Sequence, residues 1–272
     1  MPTGTITEFV GESGAGKSQF LLTLTLTVQL LDGGRGAVYI STEAPLSTPR
    51  LLQIANALNR RFDPQPPVST DRVLSITCSD LETQDHILRY QLPVTVARHN
   101  IGVVVVDSIA ANFRAEFDRP DAKRVKTTSA AEAPAHMARR GGELVGVGQG
   151  LRELARRHKL AVVVANQVSD RFSTGTQEMD PLALDYQSRW FTGWDGGEDG
   201  KVPALGLVWA NLLDGRIVLR KATEGGNRKV GVVFAGWAEG GKEIEYEIWE
   251  GGVRAVVEDQ DGEGKDGPSI YR

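Results

Sequence analysis

The residues best equipped for chemistry lie near the amino terminus. Gly11-Glu12-Ser13-Gly14-Ala15-Gly16-Lys17-Ser18 matches G-x-x-x-x-G-K-[ST] at every fixed position. Such a loop turns its backbone N–H groups onto one phosphate chain, and the glycines at 11, 14 and 16 supply the backbone freedom and close approach that this requires. Lys17 brings a point positive charge to the β- and γ-phosphates, and the Ser18 hydroxyl can ligate Mg2+. A helix opening at Lys17 would add the positive end of its dipole. The plainer alternative is a glycine-rich turn between two strands.

Three further polar side chains are candidates for the same site. Ile101 to Asp107 is a continuous apolar run closed by an aspartate, which beside a phosphate loop reads as a second metal-ordering residue. The alternative is an aspartate that starts a turn. Ser108 follows it, so the glutamate that often stands there as hydrolytic base is missing. A carboxylate is available instead at Glu43, just past the run Arg35 to Ser41, unless it only caps a helix. Gln167 ends another apolar run, where its amide could sense a γ-phosphate or simply lie in a loop. In an open parallel sheet the carboxyl ends of the strands gather at one edge, so these residues can converge.

The elements that must position them follow from periodicity. Ile6 to Val10 alternates and predicts the strand before the loop. Leu22 to Val28 also alternates, but a helix is needed from Lys17, and Asp32-Gly33-Gly34 ends it about four turns later. Strands are expected at Arg35–Ser41, Val73–Thr77, Ile101–Asp107 and Leu160–Ala165, then at Leu205–Leu212, Gly215–Lys221, Val230–Ala235 and Glu243–Trp249. Helices are expected from Thr48 to Leu58, from Ser79 or Asp80 through Tyr90 with a kink or restart at Pro93, and from Gly141 to His158. Arg60–Asp71, with three prolines, reads as a surface loop. The stretches 119–140 and 169–203 show no period, and 258–272 reads as an acidic, disordered tail behind a 1–257 domain.

The chain has 272 residues, 40% hydrophobic and 24% charged, which suits one large α/β domain. A net charge of −4 argues against a surface coated for nucleic acid. One cysteine, Cys78, excludes an internal disulfide and reads as a small buried hydrophobe in a reducing compartment. Histidines at 86, 99, 136 and 158 are too scattered for a metal cluster. No apolar run has transmembrane length, and no signal peptide is visible.

Several stretches together resemble the RecA-like strand-exchange family, and at closer range its eukaryotic recombinase paralogues. They are Gly11 to Gln19, Ala37 to Glu43, Val105 to Arg114, Ala165 to Val168 and Pro203 to Asn211. Phe113 to Asp118 and the Trp209-Ala210-Asn211 stretch look most like the branch of fungal Rad fifty-seven and vertebrate X-ray-repair cross-complementing protein three. The similarity runs from about residue 3 to about residue 235. It implies a RecA-like P-loop ATPase core: a mixed, mainly parallel central sheet flanked by helices. It implies ATP and Mg2+ as ligands, with Glu12, Ser13, Ala15 and Gln19 joining the glycines, Lys17 and Ser18 around the nucleotide. Lys17 and Gln167 would act on the phosphates, Ser18 and Asp107 on the metal, and Glu43 on the attacking water. Arg50 matches an arginine that lies against the adenine, although a solvated helix-face arginine is an equal alternative.

The two aperiodic segments match the family's DNA-facing loops. Residues 119–140 carry six basic side chains against two acids, and Arg114, Arg119, Lys123, Arg124 and Lys126 are candidates for DNA phosphates. Residues 169–203 carry three basic side chains against seven acids, a sign that a DNA backbone repels. Trp190, Phe191 and Trp194 could stack on bases or pack on a partner protein, with the partner favoured. The helical domain and docking linker that family members usually carry are not in this chain, so filament assembly through that linker is not expected. The resemblance thus implies a nuclear protein of homologous-recombination repair. It would be a weak ATPase that partners another recombinase paralogue to load or stabilise the recombinase filament, binding single-stranded DNA only weakly alone. The alternatives are a self-sufficient DNA-dependent strand-exchange ATPase, or a nucleotide-gated scaffold without useful hydrolysis.

Overall fold

The computed structural model describes residues 1–31, 33–118, 133–170, 201–222 and 227–256. The readings placed on Arg119, Lys123, Arg124, Lys126, Trp190, Phe191, Trp194 and the 258–272 tail fall outside them.

The phosphate loop lies between strand β1 (Ile6–Gly11) and helix α1 (Lys17–Thr27), which a short 3-10 turn extends to Leu30. The alternating Thr–Leu pattern is therefore carried by a helix. Two threonines settle there by bonding back one turn, Thr23 to the Gln19 carbonyl and Thr25 to the Leu21 carbonyl, both at 2.7 Å. Next come β2 (Gly36–Ser41), α2 (Thr48–Phe62) and β3 (Val73–Thr77). Helix α3 (Leu81–His86) continues through a π-turn at Ile87–Gln91 into α4 (Leu92–Arg98), with Pro93 in its first turn. The disturbance thus sits just ahead of the proline, which has no N–H to donate back up the helix. Then follow β4 (Ile101–Asp107), α5 (Ala111–Asp118), α6 (Ala133–His158), β5 (Ala161–Asp170) and β6 (Lys201–Pro203). The short helix α7 (Gly206–Ala210) leads into β7 (Gly215–Arg220), β8 (Arg228–Ala235), β9 (Glu243–Trp249) and β10 (Gly252–Ala255).

The sheet runs β10-β9-β8-β7-β1-β5-β4-β2-β3, with β6 paired to β5. The six strands from β7 to β3 are parallel, and β8, β9 and β10 are antiparallel. One face packs Ile6, Val38, Ile40, Val104, Val106, Val162 and Val164 against α3 to α7. The other packs Phe9, Tyr39, Val103, Val105 and Val163 against α1 and α2. Burial on both faces is why the central strands read as unbroken apolar runs. Among the described residues no helix is long and apolar enough to cross a membrane.

Four expectations are corrected. Leu205–Leu212 is not a strand: α7 occupies Gly206–Ala210, because the wholly buried Trp209 is held through its indole, a tertiary contact that local pattern does not show. Helix α6 begins at Ala133, eight residues before Gly141, with Pro134 tolerated in its first turn and Gly141-Gly142 carried inside it. Strand β5 does not stop at Gln167; it continues to Asp170 and pairs there with Lys201–Pro203, ends of a segment read as irregular. Helix α2 runs on to Phe62, into the expected proline loop.

Strands β9 and β10 fold back over the loop–helix junction. Gly252, at φ 105° in the left-handed region, lets β10 lie directly on α1; a Cβ there would sit 2.2 Å from the Thr23 hydroxyl.

Candidate functional site

The parallel register places the carboxyl ends of β1, β2, β4 and β5 at one edge of the sheet. Gly11 is level with Gln167 of β5, and Ser41 of β2 is level with Asp107 of β4. At that edge lies a cavity of about 280 Å³, lined by Ser13, Gly14, Gly16, Lys17, Ser18, Gln19, Glu43, Asp107, Ser108, Gln167 and Ile248. The loop lysine, the loop serine, both carboxylates and the sensor amide expected from sequence therefore share one space.

Gly16 caps α1 at φ 103°, a left-handed conformation that frees the helix N-terminus to open onto the cavity. Lys17 Nζ donates to the carbonyls of Gly11 at 2.7 Å and Glu12 at 2.9 Å. Burial pushes its pKa down, while the carboxylates of Asp107 and Glu43 push it up. Glu12 does not line the cavity; its carboxylate lies 3.6 Å from Lys221, at the end of β7. Ala15 is fully buried, and its carbonyl accepts a hydrogen bond from Tyr246 of β9.

Asp107 and Glu43 are held together by backbone and side-chain bonds. The Thr42 N–H donates to the Asp107 carbonyl at 2.9 Å. The Thr42 hydroxyl donates to the Ser108 carbonyl at 2.8 Å and accepts from the Ser108 N–H at 2.9 Å. Tyr39 donates its phenolic hydrogen to Asp107 Oδ2 at 2.6 Å, which orients that carboxylate. Burial, and then the Asp107 charge, push the phenol pKa upward. Gln167 Nε2 donates to Glu43 Oε1, and Arg114 Nη1 donates to Gln167 Oε1 at 2.6 Å.

Arg50 lies beside the cavity and joins three elements. Its Nε donates to Gln19 at 2.8 Å and its Nη1 to the Glu250 carbonyl at 3.1 Å, so α1, α2 and the β9–β10 turn meet there. Cys78 is buried, and its thiol pKa is pushed up to about 11 by burial.

Sequence reasoning missed Tyr39, Thr42, Lys221, Tyr246 and Ile248. Tyr39, Thr42 and Lys221 had a usable signal, since each stands on or just beyond a parallel strand that ends at this edge. Tyr246 and Ile248 had none, because an antiparallel strand returning from the far end of the chain carries them. Among the described residues there is no group of three or more His, Cys, Asp or Glu able to hold a metal ion by itself. A nucleotide-borne Mg2+ needs only Ser18 and Asp107 from the protein, and both line the cavity. Ser108 fits as well: its hydroxyl is buried without a hydrogen-bond partner in the protein, and a bound hydrated ligand would satisfy it.

The Rad51 family profile matches residues 1–256. The chain is 42% identical over 245 residues to DNA repair protein rhp57 of Schizosaccharomyces pombe, covering 86% of this chain and 68% of that protein. It is 34% identical to DNA repair protein RAD57 of Saccharomyces cerevisiae, over 70% of this chain and 40% of that one. To DNA repair protein XRCC3 of Bos taurus it is again 34% identical, over 78% of this chain and 56% of that one. In three dimensions it resembles the crystal structure of the RadB recombinase, with a TM-score of 0.63 at 23% identity, covering 94% of this chain and 92% of that one. The chain belongs to the Rad51 family, and its fold is the RecA-like mixed sheet flanked by helices.

Proposed function

We propose that this Rad51-family chain binds ATP with Mg2+ in the cavity beside Lys17, hydrolyses it slowly, and serves homologous-recombination repair in the nucleus. There it acts as the partner of another recombinase paralogue, helping to load or stabilise the recombinase filament. One observation carries the nucleotide part: Lys17, Ser18, Glu43, Asp107 and Gln167, drawn from four separate stretches of chain, line a single cavity. The repair part is supported by the relatives that share the family, which are named as DNA repair proteins. The partner part is supported by the charge of the 169–203 segment, whose seven acids against three bases disfavour independent DNA binding.

The residues divide the work as follows. Loop N–H groups, the α1 N-terminus and the Lys17 ammonium hold the β- and γ-phosphates. Ser18 and Asp107 would hold Mg2+, which neutralises charge developing on the phosphate oxygens. Glu43 accepts a proton from the attacking water as its oxygen bonds to the γ-phosphorus and the bond to the ADP oxygen breaks. Gln167 is placed to follow the terminal phosphate.

Glu43→Gln tests this directly. Turnover, read in single-turnover experiments with excess protein, falls by about a hundredfold or more, as for loss of a general base. Nucleotide affinity stays within roughly threefold, since the amide keeps the shape and an acceptor oxygen. Unchanged turnover would remove Glu43 from the reaction. For the assembly part, co-purification with candidate paralogues, with bound nucleotide measured in the same sample, is expected to give a stoichiometric complex that retains nucleotide.

A further inference from the structure

We propose that Arg114 is a positioning residue of the nucleotide site, which presets the Gln167 amide to tell a triphosphate from a diphosphate. The proposal rests on the nucleotide reading above.

The geometry is an ion pair with an amide spliced into it. Arg114 Nη1 donates to Gln167 Oε1 at 2.6 Å, and Gln167 Nε2 donates to Glu43 Oε1. The two ends fix the sense of the amide. A guanidinium can only donate and a carboxylate can only accept, so turning the amide over would set N–H against N–H and oxygen against oxygen. A terminal phosphate, like Glu43, offers only acceptor oxygens. Gln167 must therefore present its NH2 group to be useful, and Arg114 is what keeps the carbonyl end turned away.

Arg114 does not itself line the cavity. It is held from behind, in α5, by anchors that do not line the cavity. Asn112 Nδ2 donates to the Asp80 carbonyl at 3.1 Å and to Gln84 Oε1 at 3.0 Å, and Phe113 is buried beside it. The arrangement gives a cation outside the cavity control over an amide inside it. Sequence reasoning placed this arginine among the candidates for DNA phosphates; the structure places its guanidinium on Gln167.

The test uses the full chain and the variants R114A, R114K, Q167A and R114A/Q167A. Affinities for ADP and for a non-hydrolysable ATP analogue are measured by calorimetry with Mg2+, with thermal midpoints in parallel. R114A is expected to lower the preference for triphosphate by about fivefold or more, the scale of one charge-assisted hydrogen bond. ADP affinity stays within roughly twofold. R114K keeps a donor but loses the planar fork, and recovers part of the preference. The double variant is no worse than Q167A, because both changes disable one device. Equal loss of both nucleotides, as from a residue that only braces the fold, overturns the proposal, and so do additive losses in the double variant. If Q167A leaves the preference intact while E43Q still slows turnover, the proposal fails and the wider reading stands. If wild type binds neither nucleotide, the wider reading fails first.

Discussion

Lys17→Ala lowers ATP affinity by at least about a hundredfold while leaving the fold at least as stable. Lys17 as a residue is only 9% exposed, and burial already pulls its pKa down. Its present partners are two backbone carbonyls, those of Gly11 and Glu12. A phosphate in the cavity replaces those neutral partners with full negative charge. At an effective dielectric constant of about 20, unit charges about 4 Å apart interact by about 4 kcal/mol, and about 3 kcal/mol already exceeds a hundredfold in affinity. Removing the lysine also removes a desolvated charge from the unliganded protein, so thermal unfolding is expected at an unchanged or higher temperature. Titration of a fluorescent ATP analogue reads the first effect and calorimetric melting the second. Affinity like that of wild type would mean that the cavity does not seat the phosphates beside Lys17.

Arg216→Met has the largest expected effect on stability. Arg216 is 1% exposed and Glu8 is fully buried, with Arg216 Nε 2.5 Å from Glu8 Oε2. The other carboxylate oxygen accepts from the Trp209 indole at 2.8 Å and from Asn166 at 2.7 Å. The Phe234 ring lies 5.6 Å from the guanidinium carbon. Taking the arginine away strands a carboxylate in the core, which costs about 3–5 kcal/mol. In a domain of this size that is about 10 °C in melting temperature. Replacing both partners, as Glu8→Leu with Arg216→Met, is expected to recover only part of the loss: no charge is then left buried, but the Trp209 indole loses its acceptor. A single variant that melts within about 2 °C of wild type would show that the pair contributes little. Because Asn166 precedes Gln167, the single variant should also weaken discrimination between nucleotides.

The phosphate loop was legible because its chemistry is local. Eight consecutive residues specify the turn, and the strand before it alternates in the ordinary way. Asp107 and Gln167 were legible because each stands where a run buried on both faces changes from apolar to polar, at Asp107 with the end of β4 and at Gln167 with β5 running on. What escaped depends on partners distant in sequence. Leu205–Leu212 has the composition of a strand, yet Trp209 reaches Glu8 across 201 positions, and that contact decides in favour of a short helix. Glu8 lies in the alternating strand β1, where nothing in the local pattern marks it as fully buried. Arg114 carried a plausible charge for DNA, and only the placing of α5 beside β5 shows its bond to Gln167. The first two turns of α6 lay in a stretch whose proline and glycines mask an otherwise helix-forming composition.

The order of the sheet has a consequence for how the polypeptide is made. Strand β1 is made before both of its neighbours in the sheet, which are residues 161–170 and 215–220. Until residues 161–170 have been made that strand has neither flank, and the cradle it leads into has no frame. The cavity is complete only once residues 215–220 have been added, so a chain that stops before them is expected to expose apolar surface and to aggregate.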